Sequence, residues 1–74
     1  MSVIEVSVAA GDILSTLEQR GGTVRLEQVT SSRRCSRDLA IMAVGWLFKE
    51  GLVTVQAGIG DWILKLTTQR KGGA

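Results

Sequence analysis

The chain has 74 residues, of which 45% are hydrophobic, and nine basic against seven acidic side chains give a net charge of +2. A chain of this size forms one domain with a real core but marginal stability, and its single cysteine excludes an intrachain disulfide and favours the cytoplasm. The longest uncharged apolar run, Leu39 to Phe48, is about half of the roughly twenty residues that a membrane-spanning helix needs, so no membrane segment is expected.

The first predicted helix spans about residues 8 to 20. Ser7 or Asp12 is the predicted cap of its first turn, and Gly21–Gly22 is expected to end it, because glycine closes helices readily. Residues 3 to 8 alternate as a strand would, or else lead into this helix. The helical spacing is carried by Ala10, Ile13, Leu14 and Leu17.

A short second helix is predicted from Leu26 to Ser32. The segment Thr23–Val24 before it has room for one short strand, and the polar cluster Thr30–Ser32 ends the helix. The third helix is predicted from Ser36 to Glu50, with Ser36 as its N-cap and Gly51 immediately after its end.

The third helix is apolar nearly all round in its C-terminal half. Such a helix is buried from two directions, so only its N-terminal part is predicted to be free. Trp46 on this helix and Trp62 on the last strand are predicted to be core anchors in mutual contact. One predicted face carries Leu39, Met42, Ala43, Trp46 and Leu47, and the opposite face carries Arg37, Ile41, Val44 and Phe48.

Two strands after the third helix form a predicted hairpin. Val53 and Val55 alternate with polar neighbours, as in a half-buried strand. The glycine-rich segment 57–60 is the predicted connection to the second strand. That strand carries Trp62, Leu64 and Leu66 on one face and Ile63, Lys65 and Thr67 on the other.

Together these elements predict an α+β fold. The architecture is a winged helix-turn-helix, with three helices followed by a two-stranded β-hairpin wing and a third short strand at Thr23–Val24. The folded domain is expected to span residues 1–68, and residues 69–74 have nothing to bury and are predicted to be a flexible tail.

Two short motifs support this architecture. Ala10-Gly11-x-Ile13 opens the first helix, and Gly45-Trp46-Leu47-x-x-Glu50 closes the third. With them the chain resembles, over about residues 6 to 67, a family of small prokaryotic winged helix-turn-helix domains, mostly of uncharacterised function. The resemblance implies the three-helix and wing fold and a first helix that starts near Ser7–Val8, and it brings no catalytic or ligand residues.

A candidate DNA-binding site lies at the start of the third helix, where Arg33, Arg34 and Arg37 fall within five residues. The second helix of a helix-turn-helix pair places its N-terminal residues at the base edges of the major groove. The planar fork of arginine suits phosphate and guanine. We expect Arg33, Arg34 and Ser36 to contact phosphates and Arg37 to read a base. The alternative is a solvated turn in which an arginine pairs with a nearby carboxylate.

The remaining candidate residues leave DNA and protein partners open. Ile41, one turn after Arg37, would touch a thymine methyl group, join a dimer interface or simply pack in the core. Lys65 is a further candidate DNA contact, but the wing tip itself carries Ile59 and Asp61 and no basic residue. Ile59 therefore suits a protein contact. The predicted function is a DNA-binding, transcriptional-regulator-like module, and the alternative is a protein-interaction or homodimerisation domain that does not bind DNA.

Chemistry beyond binding has little support in this sequence. It contains no histidine and no tyrosine, and no residues have the spacing of a carboxylate pair or of a metal site. The start of the chain, with Glu5 and no early lysine or arginine, does not resemble a signal peptide. We expect no enzyme activity, cofactor, metal or small-molecule substrate. Cys35, beside the arginines, is a candidate redox-sensing thiol, although a lone cysteine is more often inert.

Overall fold

The computed structural model describes residues 1–32 and 35–67. These residues form three helices, α1 (Val3–Gln19), α2 (Leu26–Ser32) and α3 (Arg37–Lys49), and three strands, β1 (Thr23–Arg25), β2 (Val53–Gly58) and β3 (Asp61–Leu66). The predicted fold class is confirmed. The predicted tail, residues 69–74, and the predicted domain end at residue 68 lie outside the described residues.

Helix α1 begins earlier than the sequence reading placed it. The Ser2 hydroxyl accepts a hydrogen bond from the Glu5 N–H at 3.1 Å, and the Glu5 carboxylate accepts one from the Ser2 N–H at 2.8 Å. This reciprocal capping box starts the helix at Val3, so the predicted caps Ser7 and Asp12 are wrong and both residues lie inside α1. The alternating segment at its start is helical and not a strand.

Both ends of α3 lie where they were predicted. The Ser36 hydroxyl accepts a hydrogen bond from the Leu39 N–H at 3.1 Å and so caps the first turn. After the last turn, Gly51 has φ of +77°, and the Leu52 N–H donates to the Leu47 carbonyl at 2.9 Å. Glycine adopts this left-handed conformation without steric cost, and the reversed chain then enters β2.

The sheet is antiparallel, and β3 is its middle strand, in the order β1-β3-β2. Lys65 on β3 lies opposite Thr23 on β1 and opposite Thr54 on β2. The predicted third short strand is therefore confirmed. The wing is the β2–β3 hairpin, in which Ile59 and Gly60 connect Gly58 to Asp61, the last facing pair of the ladder.

The core is built from small and aliphatic side chains. Helix α1 contributes Ala9 and Ala10 among others, and α3 contributes Ala40 and Ala43. Alanines on two packed helices let the helix axes approach closely. The buried apolar residues are Ala9, Ala10, Ile13, Leu17, Val24, Leu26, Val29, Ala40, Ala43, Val44, Leu47, Val53 and Leu64.

This packing overturns the predicted orientation of α3. The helix buries the side of its two alanines, together with Val44 and Leu47, and leaves Met42 and Trp46 exposed. The larger side chains were assigned to the core on size, but the close approach to α1 selects the small ones. Helix α3 is therefore not buried from two directions, and its C-terminal half is partly free.

The two tryptophans also differ from their predicted roles. Trp62 is half-buried against the core, as expected for the inward face of β3. Trp46 is not a core anchor, because its side chain lies at the edge of α3 that faces the start of α1. Trp62 borders a different groove, on the wing side of α3, so the two residues do not join α3 to the wing as a pair.

Candidate functional site

The start of α3 presents one of the three clustered arginines to solvent. Arg37 is exposed in the first turn, directly after the capping residue Ser36. Arg33 and Arg34 lie outside the described residues. The structure thus brings together Ser36 and Arg37 from the predicted DNA-binding set.

Ile41, one turn further along α3, has a mixed environment. Its side chain is half-buried and packs against the core, as one of the three readings of the sequence expected. The same side chain also borders two surface grooves, one on each side of α3. Ile41 therefore contributes both to packing and to an exposed surface.

Lys65 and Ile59 lie away from the start of α3. Lys65 is exposed and follows the buried Leu64, so it projects from the outer face of the sheet, because successive strand residues point to opposite faces. The inner face, through Val55 and Trp62, borders a groove with α3. Lys65 does not share that surface. Ile59 is fully exposed at the tip of the wing.

The exposed side of α3 is apolar between its ends. The exposed fractions are 54% for Met42, 43% for Trp46 and 58% for Phe48. These large side chains surround an exposed glycine, Gly45. We define the α3 outer face as Ile41, Met42, Gly45, Trp46 and Phe48. This surface was not predicted from the sequence, although the alanines of α3 were a signal of where the tight helix contact would lie.

Two grooves flank the α3 outer face. The larger, of about 600 Å³, separates it from the first turns of α1, where Met1, Val3 and Val6 form the opposite wall. The smaller, of about 280 Å³, separates it from the inner face of the wing, where Val55 and Trp62 form the wall. The apolar surface is therefore continuous from the wing across α3 to α1.

Gly45 lies at the centre of this surface without an internal reason to be glycine. A Cβ atom added there would meet no atom within 4 Å. The same holds for Gly11, which is exposed in the middle of α1. Glycine inside a helix is less favourable than alanine by about 0.5–1 kcal/mol. Gly45 forms a notch in the α3 outer face, with Ile41 and Met42 one turn before it and Phe48 one turn after it.

Cys35 lies in a third groove, of about 300 Å³, between the first half of α1 and the start of α3. The thiol is half-buried, and burial, followed by the nearby Asp12 carboxylate, raises its pKa above the ordinary thiol value. Both effects disfavour the thiolate. The direction of this shift argues against Cys35 as a redox-sensing thiol.

Asp61, at the start of β3, has a structural role that the sequence analysis missed. Its carboxylate accepts a hydrogen bond from the Trp62 N–H at 2.8 Å and a longer one from the Glu27 N–H at 3.4 Å. Glu27 lies in the first turn of α2, where backbone N–H groups lack helical partners. Asp61 thus caps α2 from the wing and fixes the wing relative to the helices.

The order of the helices and strands, with a terminal hairpin beside the third helix, defines this domain as a winged helix-turn-helix. The chain belongs to the family described as "Winged helix-turn-helix domain (DUF2582)", whose model matches residues 1–66. No curated protein and no solved structure matched the chain.

Within residues 1–32 and 35–67, no helix has the length and hydropathy needed to cross a membrane. The same residues contain no group of three or more histidine, cysteine, aspartate or glutamate side chains placed to hold a metal ion.

Proposed function

We propose that this winged helix is a non-enzymatic protein-interaction module and that its contact surface is the α3 outer face. One observation carries the proposal. The helix that a DNA-binding winged helix places in the major groove exposes Met42, Trp46 and Phe48 here, around the notch at Gly45. Contiguous apolar surface with a polar rim is characteristic of protein contacts.

The same surface is poorly suited to reading DNA. Base edges in the major groove are recognised by hydrogen-bond donors and acceptors, above all by arginine, lysine, asparagine and glutamine. Methionine and phenylalanine supply none, and the wing tip offers the exposed Ile59 in place of a basic residue. Phosphate contacts supply most of the affinity of non-specific DNA binding, so this surface would gain little of it.

Fluorescence anisotropy with a labelled random duplex at low salt tests this proposal. We expect no binding by the wild-type chain at micromolar concentration, because the α3 outer face offers no partner for phosphate. If the duplex does bind, Met42→Glu and Ile4→Glu distinguish the surfaces, because Ile4 is exposed on α1 outside the two grooves that flank the α3 outer face and lines the groove of Cys35 instead. Loss of binding in Met42→Glu but not in Ile4→Glu would overturn the proposal.

DNA binding is the second candidate function, and Arg37 is the observation that favours it. Arg37 is exposed beside the capped N-terminus of α3, the part of a recognition helix that contacts base edges. In this case Arg33, Arg34 and Ser36 would add phosphate contacts. Ile41 would meet a thymine methyl group, Lys65 would reach a flanking phosphate, and the module would act in transcriptional regulation.

Arg37→Ala tests this second function, and Arg25→Ala is its matched control, because Arg25 is also exposed but lies on β1. A DNA reader should lose affinity by about tenfold or more on Arg37→Ala, as expected for a base contact. It should also show a steep fall of affinity with salt. Equal effects of the two variants would argue against readout by α3.

A cytoplasmic location is part of the proposal. It is supported by the single cysteine, because extracellular domains of this size usually depend on several disulfides. Cell fractionation with an antibody against the protein would test it, and recovery in a secreted fraction would contradict it.

A further inference from the structure

The notch at Gly45 leaves room for a group outside the chain to approach α3 closely, and unlike Gly11 it lies among exposed large apolar side chains. Glycine weakens a helix interior, and here no atom of the same chain occupies the space that a side chain would take. The neighbours of Gly45 on the helix surface are Ile41 and Met42 one turn before it, and Phe48 and Lys49 one turn after it. Three of these four are apolar. The notch therefore has the shape and polarity to receive an apolar side chain.

The charges on this side of α3 lie at its two ends. Asp38 is in the first turn and Lys49 in the last, and both are exposed. Asp38 has no ion-pair partner in the described parts of the chain, and Lys49 contacts only its neighbour Glu50, at 3.4 Å and in solvent. Asp38 and Lys49 thus lie at opposite ends of an apolar centre, with Arg37 and Glu50 as their neighbours in the sequence, and this pair of charges complements a reversed copy of the helix.

We infer that the occupant of the α3 outer face is a second copy of this chain, whose α3 packs antiparallel across the notch in a two-fold symmetric dimer. This inference rests on the proposed function and names its partner. In such a dimer Met42 enters the notch at Gly45 of the partner subunit. Asp38 then faces Lys49 of the partner subunit at each end of the contact.

The register of this contact follows from the sequence positions. In an antiparallel two-fold pair, facing residues share one midpoint along the helix. The midpoint of Asp38 and Lys49 and that of Met42 and Gly45 coincide between Ala43 and Val44. The flanking apolar pair, Ile41 and Phe48, has its midpoint one residue further along. One register therefore satisfies the charges and the notch together, with the Ile41–Phe48 pair offset from it by one residue, and isologous dimers require this self-complementarity.

The apolar surface open to a partner is not confined to α3. A standard interface buries about 800 Å² from each partner, which is about a sixth of the 4673 Å² surface of the described chain. Across the 600 Å³ groove the apolar surface continues from α3 to Met1 and Val3, and both are exposed. The partner's helix can therefore contact α1 as well as α3.

Sedimentation equilibrium from micromolar to millimolar concentration tests the dimer. We expect the wild-type chain to pass from monomer to dimer. Gly45→Leu should weaken association by about tenfold or more, because leucine fills the notch. Gly11→Leu is the matched control, because Gly11 is also an exposed helix glycine with no atom near its missing Cβ, and it lies off the α3 outer face. That variant should associate like the wild type.

A charge exchange tests the antiparallel register. Asp38→Lys and Lys49→Glu each place like charges opposite one another in a homodimer, so each variant alone should associate more weakly than the wild type. An equimolar mixture of the two variants pairs opposite charges at both ends of the contact. The mixture should therefore associate more tightly than either variant alone, and a mixture that does not would overturn the register.

Failure of the dimer and failure of the proposed function are distinguishable. A chain that stays monomeric at millimolar concentration, or a Gly45→Leu variant that associates like the wild type, overturns the dimer. The proposed function survives that result if the chain also ignores the duplex. Duplex binding that is lost in Met42→Glu overturns the proposed function instead, whatever the oligomeric state.

Discussion

Trp46 and Leu47 are neighbours in the sequence and lie in opposite environments. Leu47 is fully buried at the centre of the core, and Trp46 is partly exposed beside the start of α1. The larger of the two side chains therefore contributes less to the free energy of unfolding. From size and hydrophobicity alone, Trp46 would be expected to contribute more to the free energy of unfolding than Leu47.

Alanine substitution at each position should reveal this contrast. Leu47→Ala leaves a cavity and should lower the free energy of unfolding by about 2–5 kcal/mol. Trp46→Ala removes a side chain from the surface and should lower it by about 1 kcal/mol or less. Urea unfolding, at a concentration where the chain is monomeric, measures both values. A larger loss for Trp46→Ala than for Leu47→Ala would contradict the burial described here.

The thiol of Cys35 should be less reactive than that of an exposed cysteine. Burial and Asp12 raise its pKa in the folded chain, so less thiolate is present at any given pH. Iodoacetamide labelling should have its midpoint at higher pH in the folded chain than in the chain unfolded in urea, which is the control. Equal midpoints in the two states would show that the fold does not protect the thiol.

The same shift gives stability a pH dependence with a definite sign. The folded chain holds the thiol proton to higher pH than the unfolded chain does. The stabilisation is fully present below the unfolded pKa of Cys35 and is lost as the pH rises through the folded pKa. The free energy of unfolding should therefore fall in the alkaline range, and Cys35→Ala should make that fall shallower.

At the scale of whole elements, one carboxylate links the wing to the helix-turn-helix in addition to the strand pairing and the packing of the inner face of the wing. Asp61 accepts hydrogen bonds from the Trp62 and Glu27 backbones, and so links the start of β3 to the first turn of α2. Helix α2 has only seven residues, so it depends on such contacts more than a long helix does.

Loss of this link should have a measurable cost. Asp61→Ala should lower the free energy of unfolding by about 1 kcal/mol, the usual effect of removing a helix cap. Asp61→Asn is the matched control, because it keeps one acceptor oxygen where aspartate offers a separate oxygen to Trp62 and to Glu27. Its stability should fall between those of the wild type and Asp61→Ala. The backbone amide of Glu27 should exchange its hydrogen faster in Asp61→Ala than in the wild type. An unchanged exchange rate would show that Asp61 does not cap α2.

The ends of elements were predictable because their signals are local. Ser36 caps α3, Gly51 ends it, and α2 has the predicted bounds. The signal for the start of α1 was equally local, since Ser2 and Glu5 form a capping box, but the cap was sought at Ser7 or Asp12 and residues 3 to 8 were left open between strand and helix. The orientation of α3 was not local, because it depends on how closely α1 approaches.

The candidate site likewise has one part that local sequence signals predict and one part that depends on tertiary packing. The exposed position of Arg37 after the Ser36 cap could be predicted from the sequence. The α3 outer face could not, because a pattern that is apolar nearly all round does not say which side meets α1. The glycine at its centre was visible only as part of a family motif, and its meaning depends on the empty space around it.

In the molecule as a whole, the exposed large apolar side chains are unevenly distributed. Among the described residues, most of them lie at the start of the chain and in the first turns of α1, or on α3, and Met1 and Val3 face Met42 and Trp46 across the 600 Å³ groove. A domain this small buries only part of its apolar surface by folding alone. Its third apolar surface, the exposed Ile59, lies apart from them at the wing tip.

The central position of β3 has a consequence for biogenesis. Both β1 and β2 hydrogen-bond to β3. Thr23 on β1 pairs with Lys65, more than forty positions downstream, so β1 has no strand partner until that residue has been synthesised. Contacts this distant along the chain slow folding, because the intervening loop must close first. Until β3 has been synthesised the sheet cannot form, and the apolar helix surfaces that pack against it stay exposed to solvent. We therefore expect a nascent chain stalled before Asp61 to need chaperone protection.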